Sequence, residues 1–231
     1  MSNYLTELAN KYASDKGTIA PETGHHGPRL GYTEIYHKYF EPLRNLDINI
    51  LEIGIGGGPS LKMWEDYFHK ARIVAFDINS YSYLDNDRVK TMIVDQSDRT
   101  SLLNAMNNLS MEFDIIIDDG SHVCEHQQIS LGVLFKFLKN KGQYWVEDLQ
   151  TSDVDVWNQT TTLYGYNMGN NVGNKNTVEV FENYGDNKKF LSEFLTADEN
   201  LYLTENIDEY KLYRLGKTFY GETKLAFFLK K

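Results

Sequence analysis

The chain has 231 residues, room for one sizeable α/β domain with at most a small appendage. A net charge of −10 argues against nucleic acid or an anionic membrane as the main partner, and a hydrophobic content of 41% provides for a full core. One cysteine, Cys124, excludes an internal disulfide; with no signal peptide and no apolar run of ~18 residues visible, a protein of the reducing cytoplasm is expected.

In chain order, Leu5, Leu8, Ala9 and Tyr12 recur at helical spacing within residues 2–13. A loop rich in Gly, Pro and His covers 17–31 and includes His25 and His26. The segment YTEIYHKYFE, 32–41, predicts a second helix closed by Pro42. Apolar runs at 48–53, 72–76, 89–94, 113–118 and 143–146 read as strands, separated by helical stretches at 60–70, 98–109 and 124–139. Near-continuous apolar strands alternating with helices predict a doubly wound, mostly parallel α/β sheet. Residues 149–176 are too long for an ordinary connector and are expected to form a substrate loop. A helix over 177–195 is expected next, then strands at 209–215 and 224–229 paired as an antiparallel hairpin across KTFYGET. The expected organisation is an N-terminal helical arm, 1–45, ahead of the main domain, 46–231.

The first strand runs into LEIGIGGGPS, 51–60. Glycines at 54, 56, 57 and 58 permit close backbone approach to a ligand, and Pro59 and Ser60 open a helix. The dinucleotide pattern G-x-G-x-x-G fails at Pro59, and no P-loop lysine follows. That weighs against an NAD-dependent oxidoreductase and favours a ligand carrying a carboxylate and an amine. Asp77, at the end of the second strand, is placed to accept ribose hydroxyls. Asp95 and Gln96, after the third, are placed to flank an adenine ring.

The segments FDIIIDDGSH, 113–122, and Val146-Glu147-Asp148 are apolar runs that end abruptly in carboxylates. In a doubly wound sheet both ends open onto one crevice. Asp119, Glu147 and Asp148 offer the oxygen ligands Mg²⁺ prefers, and His122, across the Gly120-Ser121 turn, is the candidate base for a hydroxyl. Asp118 is expected to support them from behind. His122, Glu125 and His126 also match the zinc pattern H-x-x-E-H, but at a helix start directly after a strand, not within the long helix that pattern needs. Trp157, Tyr164 and Tyr166, together with Tyr32, are candidates for contact with an acceptor.

The acid-leading loop Glu52-Ile53-Gly54-Ile55-Gly56 resembles the first motif of class I S-adenosylmethionine-dependent methyltransferases. IDDGSH, with Glu147-Asp148 following Asp119 by 28 residues, is similar to the metal-dependent sugar O-methyltransferases of the macrocin and mycinamicin group. Ser14 to Thr18, Gly31-Tyr32-Thr33 and EDLQTS at 147–152 carry the same resemblance, which covers residues 12 to about 152. It implies a seven-stranded Rossmann-like sheet with an antiparallel C-terminal strand, and S-adenosylmethionine and Mg²⁺ as cofactors. Asp119, Glu147 and Asp148 become the metal ligands and His122 the general base. Glu52, Gly54, Gly56, Ser60, Asp77, Asp95, Gln96, Asp118 and Asp119 would surround the cofactor, with Lys16, Gly17 and Thr18 closing over it. The implied activity is methyl transfer to a hydroxyl of a glycoside or other polar small molecule; a non-catalytic S-adenosylmethionine-binding protein is the alternative. Separately, the loop dimensions and the tyrosine-rich helix at 32–41 point to a homo-oligomer. An extra N-terminal domain of the macrolide enzymes and residues 153–175 of this chain fall outside the resemblance.

Overall fold

The five apolar runs become five parallel strands: β1 (Asn49–Ile53), β2 (Arg72–Asp77), β3 (Val89–Ile93), β4 (Phe113–Asp118) and β5 (Leu138–Val146). The computed structural model describes residues 3–19, 30–152, 172–218 and 221–231. Two further strands, β6 (Ile207–Thr218) and β7 (Gly221–Lys230), pair antiparallel with each other, and β7 runs antiparallel to β5. The order is β3-β2-β1-β4-β5-β7-β6, the expected mostly parallel sheet with antiparallel strands at its C-terminal side.

Helices cover both faces. On one lie α1 (Tyr4–Lys11), α2 (Tyr32–Phe40) and α3 (Pro59–Tyr67). Their buried side chains Leu5, Tyr36 and Trp64 join Ile50, Ile73, Ile115 and Trp145 of the sheet. On the other lie α4 (Arg99–Leu109), α5 (Cys124–Leu134), α6 (Thr177–Asn187) and α7 (Ala197–Asn206). There Leu102, Ile129, Phe181 and Leu203 meet Leu51, Val74, Ile116 and Val146. Neighbours such as Ile50 and Leu51 thus enter opposite cores, which is why the central strands carry runs of consecutive apolar residues.

Several boundaries differ from expectation. The helix expected to reach 139 ends at Leu134; a 3₁₀ turn, Phe135–Phe137, follows and β5 begins at Leu138. The helix expected over 177–195 stops at Asn187, where Lys188 adopts left-handed backbone (φ +56°) and closes it. Helix α7, with no strong apolar stripe, was not foreseen. Pro42 sits inside a 3₁₀ turn, Glu41–Leu43, directly after α2. Among the described residues no helix is long and apolar enough to cross a membrane.

The aromatic face of α2 is buried within the chain. Tyr36 stacks on Phe40 and meets Trp145 edge-on, each at 4.9 Å between centroids. Tyr32, Tyr36 and Phe40 have no exposed surface, so the tyrosines that pointed to a subunit contact instead fix α2 to β5 beside the strand end.

Candidate active site

The site is built where β1, β4 and β5 stop. The ladder extends one residue beyond β4, where the Asp119 amide donates to the Ile53 carbonyl at 2.9 Å. The Glu147 amide likewise donates to Asp118 at 2.9 Å. Gly54 makes this crossing possible: it adopts φ +90°, and a Cβ there would lie 2.0 Å from the Asp119 carbonyl oxygen. Its freedom therefore serves approach of another strand end. Gly56, at φ +56°, is exposed and has open space where a side chain would be.

Asp119, His122 and Asp148 converge, each offering a ligand atom within 4.8 Å of the others. His122 Nε2 lies 3.4 Å from Asp148 Oδ2, and both side chains keep limited solvent exposure. Both residues hold left-handed backbone, φ +58° for His122 and +54° for Asp148. Such conformations in non-glycine residues persist only where surroundings enforce them, and they gather at functional sites. Here the Thr151 hydroxyl lies between them, its one proton shared between the His122 carbonyl at 2.9 Å and the Asp148 carbonyl at 2.8 Å. Asp148 Oδ1 accepts from Tyr32 at 2.7 Å and from Gln150 at 3.0 Å, which leaves Oδ2 toward the cluster. Tyr32, expected at the acceptor, is thus a buried clamp on Asp148.

Glu147, expected as a third metal ligand, shares the Lys16 ammonium with Asp119. It is fully buried, Oε1 accepts from Tyr36 at 2.6 Å, and Oε2 accepts from Lys16 at 2.8 Å. Lys16 also donates to Asp119 Oδ2 and lies 3.7 Å from Glu52 Oε1. It is wholly buried, so its ammonium serves these carboxylates and does not lie open to the cleft. Burial works against that charge, but Asp119, Glu147, Asp15 and Glu52 outweigh it and hold the ammonium well above the usual lysine range. Burial also pushes the Asp119 carboxyl up to about 6, against the pull of Lys16, and drives Glu147 upward.

The other predicted residues divide. Gly17 and Thr18 are stapled to α1, where Asn10 Oδ1 accepts from the amides of Thr18 (2.9 Å) and Ile19 (3.0 Å). Glu52 is buried under the glycine loop, accepts from Ser60 at 3.0 Å and is raised by burial to about 7. Neither Glu52 nor Ser60 opens onto the cleft. Asp77 Oδ2 accepts from the Ile55 amide at 3.0 Å and Oδ1 from Asn79 at 2.9 Å, so it braces the loop at the end of β2. Asp95 closes a turn on Ser97. Gln96, expected beside an adenine, is spent internally: its amide nitrogen donates to Asp118 (2.6 Å) and Ser130 (2.9 Å), and its oxygen accepts from Ser121 (3.0 Å). Asp118, raised by burial to about 7, accepts from Gln96 at 2.6 Å and from the Gly120 amide at 3.4 Å. His126 hydrogen-bonds Ser121 at 2.7 Å and stands outside the cluster, so the H-x-x-E-H pattern is not assembled. His25, His26, Trp157, Tyr164 and Tyr166 lie outside the described residues.

No family model matches the chain. Demethylmacrocin O-methyltransferase of Streptomyces fradiae is 36% identical over 155 residues, 64% of this chain and 37% of the relative. Mycinamicin VI 2''-O-methyltransferase of Micromonospora griseorubida is 34% identical over 155 residues, again 64% of this chain and 36% of the relative. The relatives are sugar O-methyltransferases. The match spans well under half the length of either relative. Among solved structures, the MycE methyltransferase from the mycinamycin biosynthetic pathway, in complex with Mg, SAH and mycinamycin VI, is similar over 99% of this chain and 55% of its own. Its identity is 26% and its TM-score 0.73. The sheet is accordingly that of the class I methyltransferases.

The donor set fits a hard divalent ion. Two carboxylates from adjacent strand ends supply the oxygens that Mg²⁺ prefers, and a single imidazole without thiolates is a poor zinc site. For a cofactor, the open side of Gly56 and the half-buried Asp77 carboxylate at the end of β2 are the available groups. Tyr36, Thr151 and Gln150 were missed by sequence reasoning. Tyr36 carried a signal, since it follows Tyr32 by four residues and so shares its helix face.

Proposed function

We propose that this chain transfers a methyl group from S-adenosylmethionine to a hydroxyl of a glycosylated small molecule, with Mg²⁺ held by Asp119 and Asp148. The single observation that carries this reading is the convergence of Asp119, His122 and Asp148 at the strand ends beside a glycine loop. The relatives' names and the Mg and SAH of the similar structure support it. When bound, the ion would make an acceptor hydroxyl more acidic, and the sulfonium would supply the methyl group.

The chain's own residues do the rest. Hard-cation preference divides the cluster: carboxylates toward the ion, imidazole left to accept a proton. His122 accepts it at Nε2, and Asp148 Oδ2 at 3.4 Å stabilises the imidazolium that results. Tyr32 and Gln150 hold the other Asp148 oxygen and prevent the carboxylate from swinging away. Thr151 locks the two backbone turns that aim His122 and Asp148 at one another. Much of the rate then comes from positioning.

The test is calorimetry with S-adenosylmethionine, with and without Mg²⁺, alongside turnover on a panel of glycosides. Wild type should bind the cofactor, and Asp148→Ala should lose the metal effect. His122→Ala should retain cofactor binding while turnover falls about 100-fold or more. A wild type that ignores S-adenosylmethionine would end this reading. A His122→Ala variant at near-full rate would remove the base alone.

A further inference from the structure

Gln96, in the loop after β3, is a buried amide that the proposed chemistry leaves unused. Its oxygen accepts from the Ser121 amide at 3.0 Å, and its nitrogen donates to Asp118 Oδ1 at 2.6 Å and to Ser130 Oγ at 2.9 Å. The orientation is forced. A backbone N–H can only donate, so an inverted side chain would set donor against donor at Ser121. The Ser130 hydroxyl spends its own proton on the His126 carbonyl and is left to accept from Gln96.

These contacts straddle the turn that carries the reactive groups. Asp118 is the last residue of β4, and Ser121 immediately precedes His122. The Asp119 amide is fixed by Ile53 and the Val123 amide by Ser121 Oγ at 3.3 Å, but the Ser121 amide finds its acceptor in Gln96. Gly120 records how close that side chain comes. Its backbone lies outside the left-handed region, so no φ demands a glycine there. Yet a Cβ at 120 would lie 2.3 Å from Gln96 Oε1 and 2.9 Å from its Cδ. The absent side chain makes room for the amide. Without that amide, the peptide ahead of His122 would be free to turn, and left-handed backbone at a histidine persists only under constraint.

We propose that Gln96 is a positioning residue for His122: by tying Ser121 to Asp118 across Gly120, it fixes the turn that aims the imidazole. This role rests on the reading of His122 as the base. Gln96 acts through the turn and not on the reacting atoms, so its loss should appear in turnover more than in binding. A misplacement of about 1 Å at a reacting group costs on the order of 100-fold in rate.

The test compares wild type with Gln96→Met, which keeps the length of the side chain and removes its hydrogen bonds, on the full chain. Amide exchange followed by nuclear magnetic resonance should quicken at Ser121 by about tenfold or more while the amides of β4 keep their protection. At saturating S-adenosylmethionine and glycoside, kcat should fall by about tenfold or more, with the Kd for S-adenosylmethionine within about threefold of wild type by calorimetry. In a His122→Ala background the same substitution should cost nothing further, since both act through one group. A merely structural glutamine would lower the urea midpoint, leave turnover per folded molecule intact and add its effect to that of His122→Ala. Unchanged exchange at Ser121, a smaller loss of kcat, or additivity with His122→Ala each overturns the inference. So does a loss confined to cofactor affinity. Should Gln96→Met fail to fold, Gly120→Ala reaches the same contact from the other side and should give the same exchange and the same loss of kcat. A His122→Ala variant at near-full rate would instead remove the base reading itself, an outcome visible without any change at Gln96.

Discussion

At Glu52 a single carboxylate reports how the strand end is balanced. Burial holds it up to about 7, Lys16 pulls it down, and Ser60 donates to it. In the unfolded chain the same group titrates near about 4.3, so between there and about 7 the folded protein binds more protons. Stability is therefore highest at the acid end of that window and falls as pH rises through it. Glu52→Gln abolishes the titration, and wild type should lose about 3 kcal/mol more than the variant between pH 4.5 and pH 8. Urea midpoints across that range provide the check; parallel profiles would mean that Glu52 ionises without cost. At this scale the sequence was half legible. Asp119, His122 and Asp148 were found because carboxylates at the ends of apolar runs are a local pattern. The partner of Glu147 was not, because a lysine 131 positions away leaves no periodic trace. The crowded acids did require a cation, and part of it is supplied from within the chain.

Among the elements, α2 links packing to the site. Phe40, Tyr36 and Trp145 form one aromatic contact, and the same helix face presents Tyr32 to Asp148 and Tyr36 to Glu147. Tyr36→Phe keeps the ring packing but strips one oxygen of buried Glu147 of its donor. A loss of about 1–3 kcal/mol is expected in chemical denaturation, with the fold unchanged by circular dichroism. No loss would show that Glu147 is held by Lys16 alone. Element by element, the central strands were readable because burial on both faces makes them predominantly apolar. Helix α7 was not, since only Leu203 of its residues is fully buried. A signal existed nonetheless: Thr196 and Glu199 form a reciprocal capping box, a pattern independent of apolar periodicity. The polar start of β5, Leu138 to Gly142, hid in the same way, since its pairing with Phe113 passes through a register shift.

For the whole molecule, the expected boundary near residue 45 cuts through a shared core. Leu5, Leu8, Tyr32, Tyr36 and Phe40 belong to the cluster that contains Trp64, Ile115, Trp145 and Phe227. Removing them would bare large aromatic surfaces and leave buried Glu147 without either donor. A chain limited to residues 46–231 should therefore show no cooperative thermal transition and should bind a hydrophobic dye, whereas the full chain should melt in one step. A sharp melt of the shortened chain would establish the N-terminal arm as a separable addition.

The contacts that aim the carboxylates close very long loops: Lys16 to Glu147 spans 131 residues, Tyr32 to Asp148 116 and Tyr36 to Glu147 111. During synthesis the arm leaves the ribosome well before its partners on β5. Long-range pairings form late because the entropy of closure must be met before they contribute. The cluster of Asp119, His122 and Asp148 should therefore gain its final geometry only after β5 has docked. Competence for chemistry becomes one of the last properties the folding chain acquires.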